Sequence, residues 1–249
     1  MFTQISKPRG RGRPPGRTVE GEATRRRLYD TAVALIGEQG YAATTLRGVA
    51  ERAGASPGLL YRYFPSKRSL VLELYDQLSY EYARQATNLA VGTWRERFLG
   101  ALETSLRVLG PHRITLRALA PVMVGDIDEG VFAQSTAFSR RRVQAIFEDV
   151  VINAADAPTR TLSEPLGRLL YLLHLAVILW WLLDKSPQQR ATHALVSLIR
   201  QMLPAVALTL RLPPGRRFVR TADQLFREAL VDEQDQPRTG ALRPSARSS

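Results

Sequence analysis

Residues 45–67, TLRGVAERAGASPGLLYRYFPSK, constrain this chain more than any other stretch. They encode two short helices joined by a tight turn, and each boundary is written in the residue types that favour it. Thr45 offers a hydroxyl N-cap to a helix whose Leu46, Val49, Ala50 and Ala53 recur at helical spacing and form one buried stripe. Gly54 follows the stripe, where a left-handed C-terminal cap wants no side chain. Ser56 caps the next helix and Pro57 sits at its first position, where a missing N–H costs nothing. Leu60 and Phe64 face inward, leaving Gly58, Leu59, Arg62 and Tyr63 to other faces. Pro65 stops that helix, and Ser66 caps another that carries Lys67 and Arg68 near its start. Upstream, Leu28, Ala32, Leu35 and Ile36 mark an amphipathic first helix ended by Gly40-Tyr41. Three helices with short links make a compact unit, and the paired helices at 45–64 read as a helix-turn-helix whose second member fits a DNA major groove. A helical hairpin from any all-α domain is the plainer alternative.

The charge distribution agrees with a DNA-binding role. The chain carries a net charge of +12, and residues 1–69, with 13 Lys/Arg against 5 Asp/Glu, hold +8 of it. A basic excess at one end is the footprint expected of phosphate binding. The first 22 residues include KPRGRGRPPGR, rich in Gly, Pro and Arg and without apolar periodicity, so they read as a disordered arm. Arg11-Gly12-Arg13-Pro14 resembles the core of an AT-hook, in which Arg11 and Arg13 would enter a narrow A·T-rich minor groove. A flexible, non-specifically basic tail is the competing reading.

The run AVALIGEQGYAATTLRGVAERAGASPGLLYRYFPSKRSLVLEL resembles the DNA-binding domain of the TetR family of transcriptional regulators, without a gap from about residue 24 to 75. The resemblance implies an all-α homodimer, usually a repressor, with a divergent C-terminal domain that binds a small ligand. It assigns Thr45 as the helix-capping phosphate contact and Arg47 as a position that reads a base in some members. It places Pro57, Gly58 and Leu59 on the groove-facing start of the recognition helix, Tyr61 and Tyr63 on the DNA backbone, and Lys67 on a phosphate. Gly58 has no side chain to read a base, and Leu59 offers only apolar contact, for example to a thymine methyl. Tyr hydroxyls, Lys and a helix N-terminus suit phosphate independently of the resemblance, and Arg62 adds charge to the same helix. Arg47 can bridge guanine O6 and N7 or take another phosphate. Tyr61, beside Leu60, is either a backbone contact or a core aromatic.

The rest of the chain reads as a helical regulatory and dimerisation domain over 70–231, followed by a polar, disordered tail at 232–249. A connecting helix is expected from Ser66 to about Leu89, then helices at 94–109, 113–124, 131–154, 164–184, 187–212 and 218–231, punctuated by Gly-Pro, Gly-Asp, Ala-Pro and Ser-Pro. The run at 169–183, LLYLLHLAVILWWLL, is apolar on every face and must be covered on two or more sides. At 15 residues, and interrupted by His174, it is too short for a membrane span. With the apolar helix after it, it suggests a four-helix interface between two subunits, as the resemblance also implies; a monomer enclosing these helices is the alternative.

His174 is the weak candidate for a ligand contact, against the commoner role of a satisfied core histidine. Phe132, Phe138, Tyr171, Trp180 and Trp181 either line a pocket or pack. Pro121 and Gly125-Asp126 mark a loosened helix end or a loop. Catalysis finds no support. His112, His174 and His193 lack metal-ligand spacing, no phosphate-cradling glycine loop or nucleophile elbow is present, and Asp126-Ile127-Asp128-Glu129 reads as a solvated turn. Neither metal nor cofactor is expected. The chain has no Cys, and no apolar stretch follows its N-terminal basic residues, so a cytoplasmic bacterial protein is expected. The function these readings support is a ligand-responsive, site-specific DNA-binding regulator. It would act as a homodimer on a palindromic operator, most simply as a repressor released by a small apolar or aromatic effector. The alternative is an architectural protein of A·T-rich DNA, led by the arm.

Overall fold

The computed structural model describes residues 19–230, and no strand occurs among them. Ten α-helices follow one another: α1 (Val19–Gln39), α2 (Leu46–Arg52), α3 (Pro57–Tyr63), α4 (Lys67–Ala86), α5 (Trp94–Leu109), α6 (Arg113–Gly125), α7 (Ala137–Ile152), α8 (Arg160–Leu183), α9 (Arg190–Thr209) and α10 (Pro213–Leu230). The all-α architecture is therefore as expected. The chain divides into two compact units after Leu70, so the residues of α4 fall in both.

In the first unit the local chemistry sets the boundaries. Thr45 Oγ1 accepts from the Gly48 N–H at 3.0 Å, and Ser56 Oγ accepts from the Leu59 N–H at 3.2 Å. Between these caps, Gly54 sits at φ +63 and donates to the Glu51 carbonyl, while the Ala55 N–H reaches back to Ala50. That pair of bonds is a Schellman stop, and a side chain at Gly54 would strain it. Ser66 Oγ accepts from the Ser69 N–H at 3.1 Å and starts α4 as expected. Leu28, Ala32, Ile36, Val49, Leu60 and Phe64 fill the centre of the unit. One boundary differs from expectation. α1 begins at Val19, inside the segment assigned to the arm, with Glu20 and Glu22 in its first turn where they favour the helix dipole. Arg11, Arg13 and the tail from 232 onward lie outside the described residues.

In the second unit, tertiary contacts move several boundaries. The helix expected over 131–154 begins only at Ala137. The Val131 N–H is bound to the Met123 carbonyl, and Thr136 Oγ1 donates to the Gly130 and Ala133 carbonyls. The buried Arg140 donates through Nη1 to Val131 and Ala133, so residues 126–136 fold as a pinned turn. The helix expected from 187 begins at Arg190, because Gln188 and Gln189 adopt positive φ and the Asp184 carboxylate caps it through Thr192. α10 begins earlier than expected, at Pro213. Its Gly215 approaches Thr209 so closely that a Cβ would lie 2.1 Å from the carbonyl oxygen. α4 ends at Ala86 rather than Leu89.

α8 is the hub of this unit. Its Leu162, Leu166, Leu170, Tyr171, Val177 and Trp181 are buried, and α5, α6, α7, α9 and α10 all touch it. Arg168 clasps the buried Asp223 of α10 through two hydrogen bonds, at 2.6 and 2.8 Å. From α5, Arg97 reaches the Asp149 carboxylate at 2.8 Å and the Val150 carbonyl at the end of α7. The apolar run belongs to a longer helix than its own 15 residues, so length does not exclude a membrane span. Arg160–Leu183 has 24 residues and Pro187–Thr209 has 23, and each contains an 18-residue window long and apolar enough to cross a bilayer. What sets α8 apart is packing, since half of its most apolar window is buried inside the fold.

Candidate nucleic-acid interface and effector cavity

α2 and α3 present a polar face outward while burying Val49, Ala50 and Leu60 beneath it. Thr45, Arg47, Pro57, Gly58, Tyr61 and Arg62 are exposed, and Leu59, Tyr63 and Lys67 are half-buried. Tyr61 is 52% exposed, which removes the core-aromatic reading. A Cβ built on Gly58 would meet nothing within 4 Å, so the start of α3 leaves open space where another backbone can come close. Thr45 and Ser56 spend their lone pairs on caps and keep their hydroxyl hydrogens for other acceptors. Arg52 of α2 forms a two-bond ion pair with Glu38 of α1 at 2.8 and 2.9 Å.

Lys67 shows a contact the sequence did not reveal. Its Nζ donates to the Tyr41 carbonyl at 2.7 Å and stands 4.2 Å from the centre of the Tyr41 ring. One of its three N–H groups is thereby spent, the ammonium is fixed at the start of α4, and two donors remain. The pattern Gly40-Tyr41 announced a helix end; nothing in it announced a partner 26 residues away.

The second unit contains a cavity of about 120 Å³ bordered by α4, α5, α6, α7 and α8. His174 lines it, buried, with Nε2 2.8 Å from Ser105 Oγ and its ring among those of Tyr82, Phe147 and Tyr171. Burial pushes the imidazole pKa down to about 3, so it is neutral at pH 7. Its Nδ1 has no hydrogen-bond partner, nor does the Tyr75 hydroxyl in the same wall. Burial, with Glu129 and Asp126 nearby, raises the Tyr75 pKa and keeps the phenol protonated.

Of the aromatic candidates, Tyr171 lines this cavity and Phe132 lines a neighbouring one. Phe138 and Trp180 are exposed, and the buried Trp181 donates to Gln189 with the Arg113 guanidinium over its ring. Tyr75 escaped sequence reading because its place beside the Leu70, Leu74 and Leu78 stripe marks it only as core. Asp126 serves its own turn, accepting the Asp128 and Glu129 N–H groups.

Residues 28–74 match the family described as bacterial regulatory proteins, tetR family. The transcriptional repressor KstR of Rhodococcus jostii is 50% identical over 48 residues, 19% of this chain and 23% of that protein. The regulator BetI of Rhizobium meliloti is 35% identical over 85 residues, 33% of this chain and 42% of that protein. The matched stretch thus spans from about a quarter to under half of these relatives.

The fold likeness extends further. A tetR-family regulator from Streptomyces coelicolor superposes with a TM-score of 0.57 at 18% identity, over 88% of this chain and 92% of that one. The fatty acid degradation regulator FadR of Bacillus halodurans gives 0.59 at 15%, over 78% and 96%. These identities speak for the fold, and the N-terminal match speaks for more. Residues 28–74 are those of a DNA-binding domain of the tetR family of bacterial regulatory proteins.

Proposed function

We propose that the chain is a site-specific transcriptional regulator of the bacterial cytoplasm that binds a palindromic operator as a homodimer, most simply as a repressor, and leaves it when a small effector occupies the second unit. The observation that carries this reading is the exposed face of α2 and α3. There Arg47, Tyr61 and Arg62 are exposed and Gly58 leaves open space at the start of α3, on a core fixed by caps. Thr45, Tyr63 and Lys67 suit phosphates and set register, Arg47 suits a guanine edge, and Pro57, Gly58 and Leu59 suit close approach to bases. Arg11 and Arg13 add a minor-groove arm.

Dimerisation has support from the exposed apolar side chains of α9, Leu198, Met202 and Val206, and of the end of α8, Trp180 and Leu183. Half of the most apolar window of α8 is buried in its own unit, so the interface proposed rests on α9 together with the exposed end of α8. Two recognition helices would then meet major grooves about 34 Å apart or a multiple of it. An effector acts only through different affinity for the DNA-bound and free conformations, and α4, with residues in both units, would carry the change.

The test is selection of DNA by the full chain from a random-sequence pool at about physiological salt. A two-fold symmetric consensus is expected. Recovery of A·T-rich DNA without a palindrome would replace this reading by an architectural one.

A further inference from the structure

Two cavities of the second unit share a wall. The first, about 120 Å³, holds the buried Tyr75 hydroxyl and His174 Nδ1, neither with a partner. The second, about 250 Å³, is lined with apolar side chains, among them Ala120, Phe132, Leu172 and Leu179. Met123, Val131, Leu175 and Ile178 border both. Buried polar atoms are nearly always paired, so two orphans in one small, mostly apolar chamber point to a bound oxygen. Met123 is unbranched and adaptable, which suits a partition that yields to a hydrocarbon chain.

The surrounding charges decide the ligand's own charge. Asp126 and Glu129 act on the Tyr75 hydroxyl in the sense that opposes a negative charge there. Arg140 lines the same chamber, its guanidinium held by the Val131 and Ala133 carbonyls, and opposes a positive one. Burial penalises both. The Tyr75 O–H can donate to an ether, carbonyl or hydroxyl oxygen. His174 Nδ1 donates or accepts according to which way the Ser105 hydrogen bond runs, and a hydroxyl satisfies either arrangement.

We infer that the paired cavities take an uncharged, mainly aliphatic molecule. Its single hydroxyl or carbonyl oxygen is bound by Tyr75 and His174, and its hydrocarbon part crosses the wall of Met123, Val131, Leu175 and Ile178. This deepens the effector reading above and rests on it.

The experiment is calorimetric titration of the full chain at pH 7.5 with 1-octanol, octanoate and octylammonium. Octanol is expected to bind saturably, one per chain, and at least tenfold more tightly than either ion. Tyr75→Phe should lower octanol affinity about 3- to 10-fold, the worth of one hydrogen bond. Its melting temperature should be equal or higher, because an unpaired buried hydroxyl is removed. Leu179→Trp, which fills only the second cavity, should weaken octanol while sparing 1-butanol. Tighter binding of either ion, or an octanol affinity unchanged in Tyr75→Phe, overturns the assignment.

DNA binding by the same samples separates the two readings. Octanol binding that depends on Tyr75 but leaves operator affinity unchanged keeps the cavity assignment and sinks the effector response. Operator release by octanol that persists unchanged in Tyr75→Phe does the reverse.

Discussion

The two units of this molecule are specified differently. In the first, each short helix is bounded locally: the Thr45, Ser56 and Ser66 side chains cap, and the backbone at Gly54 stops α2, all through bonds to residues within five positions. In the second, the decisive bonds span long stretches of chain. Arg168 binds Asp223 across 55 residues, Arg97 binds Asp149 across 52, and Ser105 meets His174 across 69. A unit written locally can present an unchanging face to DNA while its neighbour diverges. A unit written by distant pairs can be rebuilt around a different cavity with little trace in any short motif.

Removing one distant pair should cost the second unit more than removing a cap costs the first. Asp223→Ala leaves Arg168 half-buried without its carboxylate, so a loss of about 3 kcal/mol is expected, the scale of a broken buried ion pair. A local cap is worth about 1 kcal/mol by contrast. Urea denaturation of Asp223→Ala beside Thr45→Ala reads both. A smaller loss from Asp223→Ala than from Thr45→Ala would show that the second unit, too, is held mainly by local structure.

A pH series probes the same contrast from the cavity. Burial lowers His174 to about 3 in the folded chain, against 6.5 in the unfolded one. The unfolded state therefore binds more protons below pH 6.5, and folding stability falls as pH falls through that window. Between pH 7 and pH 5 the contribution amounts to about 2 kcal/mol. Glu148, whose pKa burial raises, works in the opposite sense, so the comparison must be made against His174→Gln, in which Glu148 is unchanged. The wild type should lose about 2 kcal/mol more than the variant over that interval. Parallel stability curves would mean that the imidazole is reached by water and the cavity is open.

These differences explain what could be read before the structure. Residues 45–67 gave up their turn, caps and inward residues because the chemistry of each boundary lies beside it in sequence. α5, bounded by Thr93 with its reciprocal Glu96 cap, was equally legible at Trp94–Leu109. The pinned turn at 126–136 was not. Its apolar Val131 and Phe132 continue a helical pattern, and only the distant reach of Met123 and the buried Arg140 breaks it. The cavity shows the same limit. His174 stood out as a polar residue in an apolar run, whereas Tyr75 looked like one more core aromatic, because an unpaired hydroxyl is a property of its surroundings.

Lys67 offers the finest test, because it mixes the two logics within the first unit: a residue at a local cap that also holds Tyr41 far back in the chain. The phosphate role proposed for it and the observed clamp make separable claims. Lys67→Met keeps the apolar stem and removes the charge. Loss of the hydrogen bond and the cation–π contact should cost about 1 kcal/mol or less of stability. If the two remaining N–H groups meet DNA phosphate, the slope of log affinity against log salt should shrink by about 0.9 per bound protomer, equally for specific and random DNA. A stability loss with an unchanged slope would assign Lys67 to the fold alone. A reduced slope with unchanged stability would make the Tyr41 contact a way of aiming the ammonium before DNA arrives. The entropy of fixing a long flexible side chain is then spent in folding, so that it does not weaken DNA binding.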